Sequence, residues 1–186
     1  MDVLNLYRYT PPSAKTIAND PQTEKISTNV RNFLKPTTPD DIAMFLYAFV
    51  YAMRPYTVEF SPNHITFTYQ GKVCFVYDVS YPATGLSAGP CEHIHLDDGV
   101  INKPAFKRMH NYIQMQEIHE PYHVVRFACV FYREMCSMSA ELRPDGCSFV
   151  RGGKEFRVSF PADVFRVECI LDSRIYKVEC NNKPCV

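Results

Sequence analysis

The sequence predicts an α+β protein in which an antiparallel β-sheet or sandwich forms the body, with an N-terminal helical arm and two further helices. Short β-branched and aromatic runs separated by turn residues indicate the sheet. Apolar residues at helical spacing, preceded by capping residues and proline, indicate the helices. With 186 residues, of which 46% are apolar, the chain can bury one core. We therefore expect an arm over residues 1–37 and a single body over residues 38–186.

The beginning of the chain is predicted to be an extended arm over residues 1–20. The first 40 residues contain five prolines and few apolar residues. Such a segment frays unless it is tied down, so we expect it to be pinned on its own globule or on a neighbouring copy. Fully stretched, residues 1–20 would reach about 66 Å, whereas a globule of this size has a radius of gyration of about 16 Å. The arm is therefore long enough to leave its own body.

Three helices are predicted, and each has a start signal. Asp20, followed by proline, begins a short amphipathic helix that ends near Lys35, and its narrow apolar stripe is typical of a docking face. Thr38 begins a helix that is apolar nearly all round, so we expect it to be buried on several sides. Pro104 lies in the first turn of the third, over residues 102–118. The stripe of the first helix consists of Ile26, Val30, Phe33 and Leu34.

Strands are predicted on both sides of the third helix. Before it lies a three-stranded antiparallel meander, at residues 56–61, 64–70 and 73–79. The stretch from Tyr81 to Asp98 is rich in Pro, Gly and Ser and is predicted to be a loop. After the helix the predicted strands cover residues 122–132, 147–150, 154–160, 164–171 and 174–180.

Composition excludes several classes of protein. The 20 basic and 20 acidic residues cancel, which argues against a dedicated nucleic-acid binder. The longest strongly apolar run, residues 42–53, is much shorter than the roughly 20 residues of a membrane span. The N-terminus lacks the pattern of a signal peptide, and the cysteines form no C-x-x-C pair of the zinc-ribbon type. We expect a soluble cytosolic protein that has no cofactor and binds neither a membrane nor a specific nucleic acid.

One motif has the chemistry of a metal site. His93 and His95 would share a face if residues 91–98 are extended, and two imidazoles on one face can hold a divalent metal, with Asp97 nearby. A His-hydrophobic-His triplet is similar to that of rolling-circle replication endonucleases, but the Tyr-x-x-Lys nucleophile motif of that family is missing. A metal-dependent, nuclease-like enzyme is the alternative interpretation, and a polar surface loop without catalytic residues is the simpler one.

The aromatic composition favours contacts between molecules. The chain has 12 Tyr, 13 Phe and no Trp. Tyrosine can fill a core, or it can lie between molecules, where it gives a large rigid contact with a hydrogen-bonding tip. Its reference pKa is about 10, so strong alkali would charge buried phenols and break such contacts.

The arm, the aromatic sheet and the zero net charge are typical of a self-assembling structural protein. In this layout, from about Asp20 to Cys180, the chain resembles the cypovirus polyhedrins, a family of viral occlusion-body proteins. The resemblance implies a crystalline matrix of homotrimers that packages and protects virus particles in the host-cell cytoplasm and dissolves in alkali. A module that docks a partner on residues 20–35 is a further alternative. We expect lattice contacts from Tyr7, Tyr9, Ile26, Val30, Phe33 and Leu34.

Overall fold

Helices pack against one mixed β-sheet, which confirms the α+β class. The computed structural model describes residues 13–35, 37–54, 56–61, 64–69, 72–78, 91–116 and 121–161. The helices are α1 (Ala14–Asn19), α2 (Pro21–Leu34), α3 (Pro39–Met53), α4 (Pro104–Gln114) and α5 (Pro121–Cys136), with a short 3₁₀ helix at Asp98–Asn102. The strands are β1 (Thr57–Ser61), β2 (His64–Tyr69), β3 (Lys72–Asp78), β4 (Cys91–His95), β5 (Glu141–Arg143), β6 (Gly146–Arg151) and β7 (Lys154–Ser159). A membrane-spanning helix would need a longer apolar stretch than any described helix provides.

Within the described part of the chain, seven strands form one sheet in the order β3-β2-β1-β5-β6-β7-β4. Neighbouring strands are antiparallel, except that β4 runs parallel to β7. The predicted meander is confirmed, because β1, β2 and β3 pair in sequence order. The turn between β6 and β7 has Gly152 and Gly153 at φ of 60° and 74°, a backbone region that glycine adopts without strain.

The core lies between the sheet and the helices. Phe60 pairs with Ile65 on one neighbouring strand and with Leu142 on the other, and all three are buried. Phe49 of α3 covers this face, since its ring centre lies 5.6 Å from that of Phe60. It also stacks on Phe131 of α5, with ring centres 4.4 Å apart. The middle of α3 is buried throughout, as its all-round apolar sequence predicts.

The strand predicted over residues 122–132 is wrong, because these residues form most of α5. The run is rich in Val and Phe, which favours a strand by local preference. Packing decides otherwise: its apolar residues are buried, and the polar residues Arg126 and Glu134 bind groups of the N-terminal helices. Tertiary contacts of this kind outweigh weak residue preferences.

The loop predicted over residues 81–98 contains strand β4, which the sequence did not indicate. β4 is ordered by parallel pairing with β7, a strand far along the chain, so no local signal marks it. The strands predicted over residues 164–171 and 174–180 lie outside the described residues, as do Tyr7 and Tyr9.

The later part of the predicted extended arm is helical. Ser13 caps α1 by accepting a hydrogen bond from the backbone N–H of Thr16 at 3.2 Å, and Ile17 is buried. Residues 13–35 therefore form two helices, and α2 follows the predicted bounds closely.

The apolar stripe of α2 is buried in the chain's own body, which corrects the expectation that it contacts other copies. Ile26, Val30 and Leu34 are 5%, 0% and 8% exposed, and α2 packs on α5. Phe33 is half-buried and stacks on Phe45 of α3, with ring centres 5.1 Å apart. Since burial of each apolar side chain contributes about 1.5–3 kcal/mol, an apolar stripe that can reach its own core packs there.

We expect Val30→Ala to lower the free energy of unfolding by about 2 kcal/mol, because two buried methyl groups are lost and a cavity remains. Thr28→Ala, at an exposed site on the same helix, is the control and should change the free energy of unfolding by less than about 0.5 kcal/mol. Urea denaturation of dilute protein measures both. Equal stability of Val30→Ala and wild type would contradict the docking of α2 on its own body.

Candidate functional site

Asp20 fixes the start of α2 against α5. Its side chain caps α2 by accepting from the backbone N–H of Gln22 at 2.9 Å. It also accepts from the hydroxyl of Tyr122 at 2.6 Å and from Nη1 of Arg126 at 2.8 Å. The hydrogen bond from Tyr122 is the largest of the effects that lower the pKa of Asp20 to about 2, and it outweighs desolvation. Asp20 is therefore ionised at any physiological pH.

A second polar cluster fixes the far end of α2. Arg31 donates from Nε and Nη2 to the two carboxylate oxygens of Glu134, at 3.0 and 3.1 Å. The Ser27 hydroxyl also donates to Glu134, and it accepts from Nη2 of Arg133 at 2.6 Å. Burial alone would raise the pKa of Glu134, but the hydrogen bonds from Arg31 and Ser27 give a net lowering. Polar contacts at both ends therefore set the register of α2 on α5.

Between these clusters a cavity of about 570 Å³ opens where α2, the end of α4 and the start of α5 meet. We call it the interhelical cavity. Its lining includes Lys25 and Asn29 of α2, Tyr112 of α4, Met115 just after α4, and His123 and Arg126 of α5.

Three residues of the cavity lining each have one buried polar atom without a hydrogen bond of regular geometry to the described groups: Tyr112 Oη, which interacts with the Asn29 side chain, His123 Nδ1 and Arg126 Nε. Each of these atoms is itself shielded from solvent. Buried polar groups are nearly always paired, and each unpaired one costs about 1–3 kcal/mol. Arg126 is only 8% exposed, and Asp20 on its Nη1 holds the guanidinium in place. Three residues with an unpaired buried polar atom therefore line the same cavity.

The described lining is basic and rich in donors. Lys25 and Arg126 carry positive charge, and none of the described lining residues carries a carboxylate. Burial raises the pKa of Tyr112 to about 12, although nearby Asn29 opposes this. The phenol is therefore protonated at neutral pH and can donate. An acceptor-rich, negatively charged group matches this arrangement.

Neighbouring rings hold the Tyr112 hydroxyl in position. The Tyr112 ring lies 4.7 Å from the ring of Phe33 and 6.4 Å from that of Phe127. At the edge of the cavity, Met115 is 77% exposed, the one large hydrophobic side chain of the described residues that stands out in this way. Its flexible thioether can cover an apolar part of a ligand.

The structure places the predicted His-x-His motif elsewhere. His93 and His95 lie on one face of β4 and are exposed, so the shared face is as expected for an extended segment. Asp97 is not brought to them as a third ligand, because its side chain accepts from the backbone of Gly99 at 3.0 Å and caps the 3₁₀ helix. Among the described residues no group of three His, Cys, Asp or Glu side chains is placed to hold a metal ion.

Sequence reasoning missed the interhelical cavity. The predicted strand over residues 122–132 contains His123 and Arg126, and as a strand it gives no reason to bring them beside α2. One signal was present: Arg126 interrupts an apolar run, and a lone arginine in such a run needs a partner. No protein-family model, curated protein or solved structure matches this chain.

A matched pair of hydroxyl deletions tests whether the Tyr112 hydroxyl is unpaired. We expect Tyr112→Phe to leave the free energy of unfolding unchanged or higher, because it removes a buried group that has no partner. Tyr132→Phe removes a hydroxyl that donates to the Ser61 carbonyl at 2.7 Å. This substitution should lower the free energy of unfolding by about 1–2 kcal/mol. Urea denaturation measures both, and a loss in Tyr112→Phe as large as in Tyr132→Phe would refute the assignment.

The raised phenol pKa predicts loss of stability in alkali. The pKa of Tyr112 is near 10 in the unfolded chain, and burial raises it to about 12 in the folded protein. The part of the folding free energy that depends on keeping this phenol neutral is therefore fully present below about pH 10 and is lost as the pH rises towards 12. Burial also raises the pKa of Tyr132, which acts in the same direction. Urea midpoints measured between about pH 9 and 11 should fall less steeply for Tyr112→Phe than for wild type. If the urea midpoints of the two proteins fall equally steeply with pH, Tyr112 does not cause the loss of stability in alkali.

Proposed function

We propose that this protein binds a small anionic organic molecule in the interhelical cavity, as a binding protein rather than a catalyst. The observation that carries the proposal is one cavity whose described lining combines two cationic side chains with three residues that each hold an unpaired buried polar atom. The volume of about 570 Å³ is within the range of about 300–1,000 Å³ that small-molecule sites occupy.

The energetics favour a ligand over an unfilled cavity. Three unpaired groups at about 1–3 kcal/mol each are a large fraction of the stability of a domain. Water can partner some of them. An anion in the cavity would in addition balance the positive charge that Asp20 leaves on the described lining, beside the side chains of Arg126 and Tyr112.

The matrix-forming role expected from the resemblance to polyhedrins stays a prediction, as do the trimer, the virion partner and the cytoplasmic occlusion body. Four of the six residues expected to make lattice contacts, namely Ile26, Val30, Phe33 and Leu34, pack on this chain's own core. Contacts between copies would therefore have to use other surfaces.

A thermal-shift screen tests the proposed function. We expect small organic anions to raise the Tm of the wild type, while neutral amides of the same size do not. Tyr112→Phe should bind the best anion about 5–30-fold more weakly, because one hydrogen bond worth about 1–2 kcal/mol is lost. Tyr132→Phe, whose hydroxyl binds the Ser61 carbonyl, is the control and should keep the wild-type affinity. The proposal fails if no anion shifts Tm, or if Tyr112→Phe binds as tightly as wild type.

A further inference from the structure

Asp20 limits the positive charge that the interhelical cavity presents. The described lining has two formal positive charges, on Lys25 and Arg126. Asp20 stands directly behind Arg126, with 2.8 Å between Oδ2 and Nη1. The side chains of this pair are 10% and 17% exposed, so solvent screens their charges only in part. Among the described groups, the site as a whole therefore presents one unbalanced positive charge.

The guanidinium geometry favours a planar acceptor. Nη1 of Arg126 is held by Asp20, and the ring of Tyr122 lies 5.4 Å from the guanidinium carbon. These contacts fix the plane of the guanidinium, and Arg126 lines the cavity. A carboxylate is planar and can meet the edge of a guanidinium with two oxygens, which gives direction as well as charge.

The rest of the wall suits an apolar body. Ile26 and Met115 line the cavity together with the polar groups, and Met115 is largely exposed at its edge. An exposed flexible apolar side chain beside a cationic pocket matches a ligand that has one charged end and a hydrocarbon part.

We propose that the ligand of the interhelical cavity is a monocarboxylate with a small apolar body, and that Asp20 is the residue that sets this charge selectivity. The inference rests on the proposed function and makes it narrower. A dianion, such as a phosphate monoester, would bring one charge more than the described groups balance, and it would bind beside an arginine that Asp20 already pairs. Selectivity by a repulsive neighbour of this kind is a common device of specific sites.

The test is isothermal titration of the wild type at about pH 8, above the usual titration range of imidazole. The probes are butanoate, hexanoate, octanoate and benzoate, each beside the neutral amide and the phosphate monoester with the same tail. Phosphate monoesters are dianions at this pH, since their second pKa is about 6. We expect at least one monocarboxylate to bind about tenfold more tightly than its phosphate monoester, and the amides to bind least.

Asp20→Asn supplies the decisive variant. Asparagine caps helices as well as aspartate does, because its amide oxygen can accept from the Gln22 N–H. The substitution removes one negative charge together with the oxygen that accepts from Tyr122 and Arg126. The ratio of carboxylate to phosphate-monoester affinity should fall about tenfold or reverse. Glu24→Gln, a 75% exposed acid on α2, is the control and should leave the ratio as in wild type.

Lys25→Gln is a second variant at an exposed position and should fold normally. It removes one positive charge, so the preference for a carboxylate over its amide should fall about tenfold.

The possible outcomes separate the two proposals. A wild type that prefers phosphate monoesters, or an Asp20→Asn protein with an unchanged ratio, would overturn the carboxylate assignment and leave anion binding intact. If Asp20→Asn does not fold, the wild type decides: equal affinity for a monocarboxylate and its phosphate monoester overturns the carboxylate assignment. A wild type that binds none of the anions would overturn the proposed function itself.

Discussion

The position of α2 on α5 is the constraint on which the rest of the molecule depends. Asp20 holds one end of the contact and Glu134 holds the other, and each binds more than one donor. Between them the apolar stripe around Val30 packs on the core. Removing the Asp20 carboxylate would leave the buried Arg126 without its partner, which is far more damaging than losing a surface ion pair. Arg31, the partner of Glu134, is exposed, so its loss of a partner costs less. This double clamp places the N-terminal helices, forms one wall of the interhelical cavity and orients Arg126.

The same contact explains why a cavity exists at all. The end of α4 at Gln114 and the start of α5 at Pro121 both lie beside α2, and the interhelical cavity opens among these three helices. Tyr112 lines the cavity from the last turn of α4, with its ring packed on Phe33. A structure optimised for stability alone would place an apolar side chain there. Groups that break local rules in this way are typical of functional sites, where stability is given up for binding.

The placement of the aromatic residues changes the meaning of the tyrosine-rich composition. Tyr47 and Tyr132 are buried within this one chain, where Tyr47 contacts Phe106 and Phe160 and Tyr132 bonds to Ser61. The alkali sensitivity predicted from Tyr112 and Tyr132 would be a property of the single fold and would not by itself indicate an assembly. Layout and composition, which carry the resemblance to occlusion-body proteins, are shared by many unrelated aromatic-rich folds.

The sequence by itself determined the elements that have strong local signals. Thr38, followed by proline and two acids, sets the start of α3, and alternating strands with glycine turns set the hairpins. Tertiary structure alone decided that residues 122–132 are helical, that β4 is a strand and that the stripe of α2 turns inward, because each depends on a partner distant in sequence. The cavity belongs to this second group. Its residues come from three separate segments, and an unpaired donor becomes recognisable only when packing has removed its access to water.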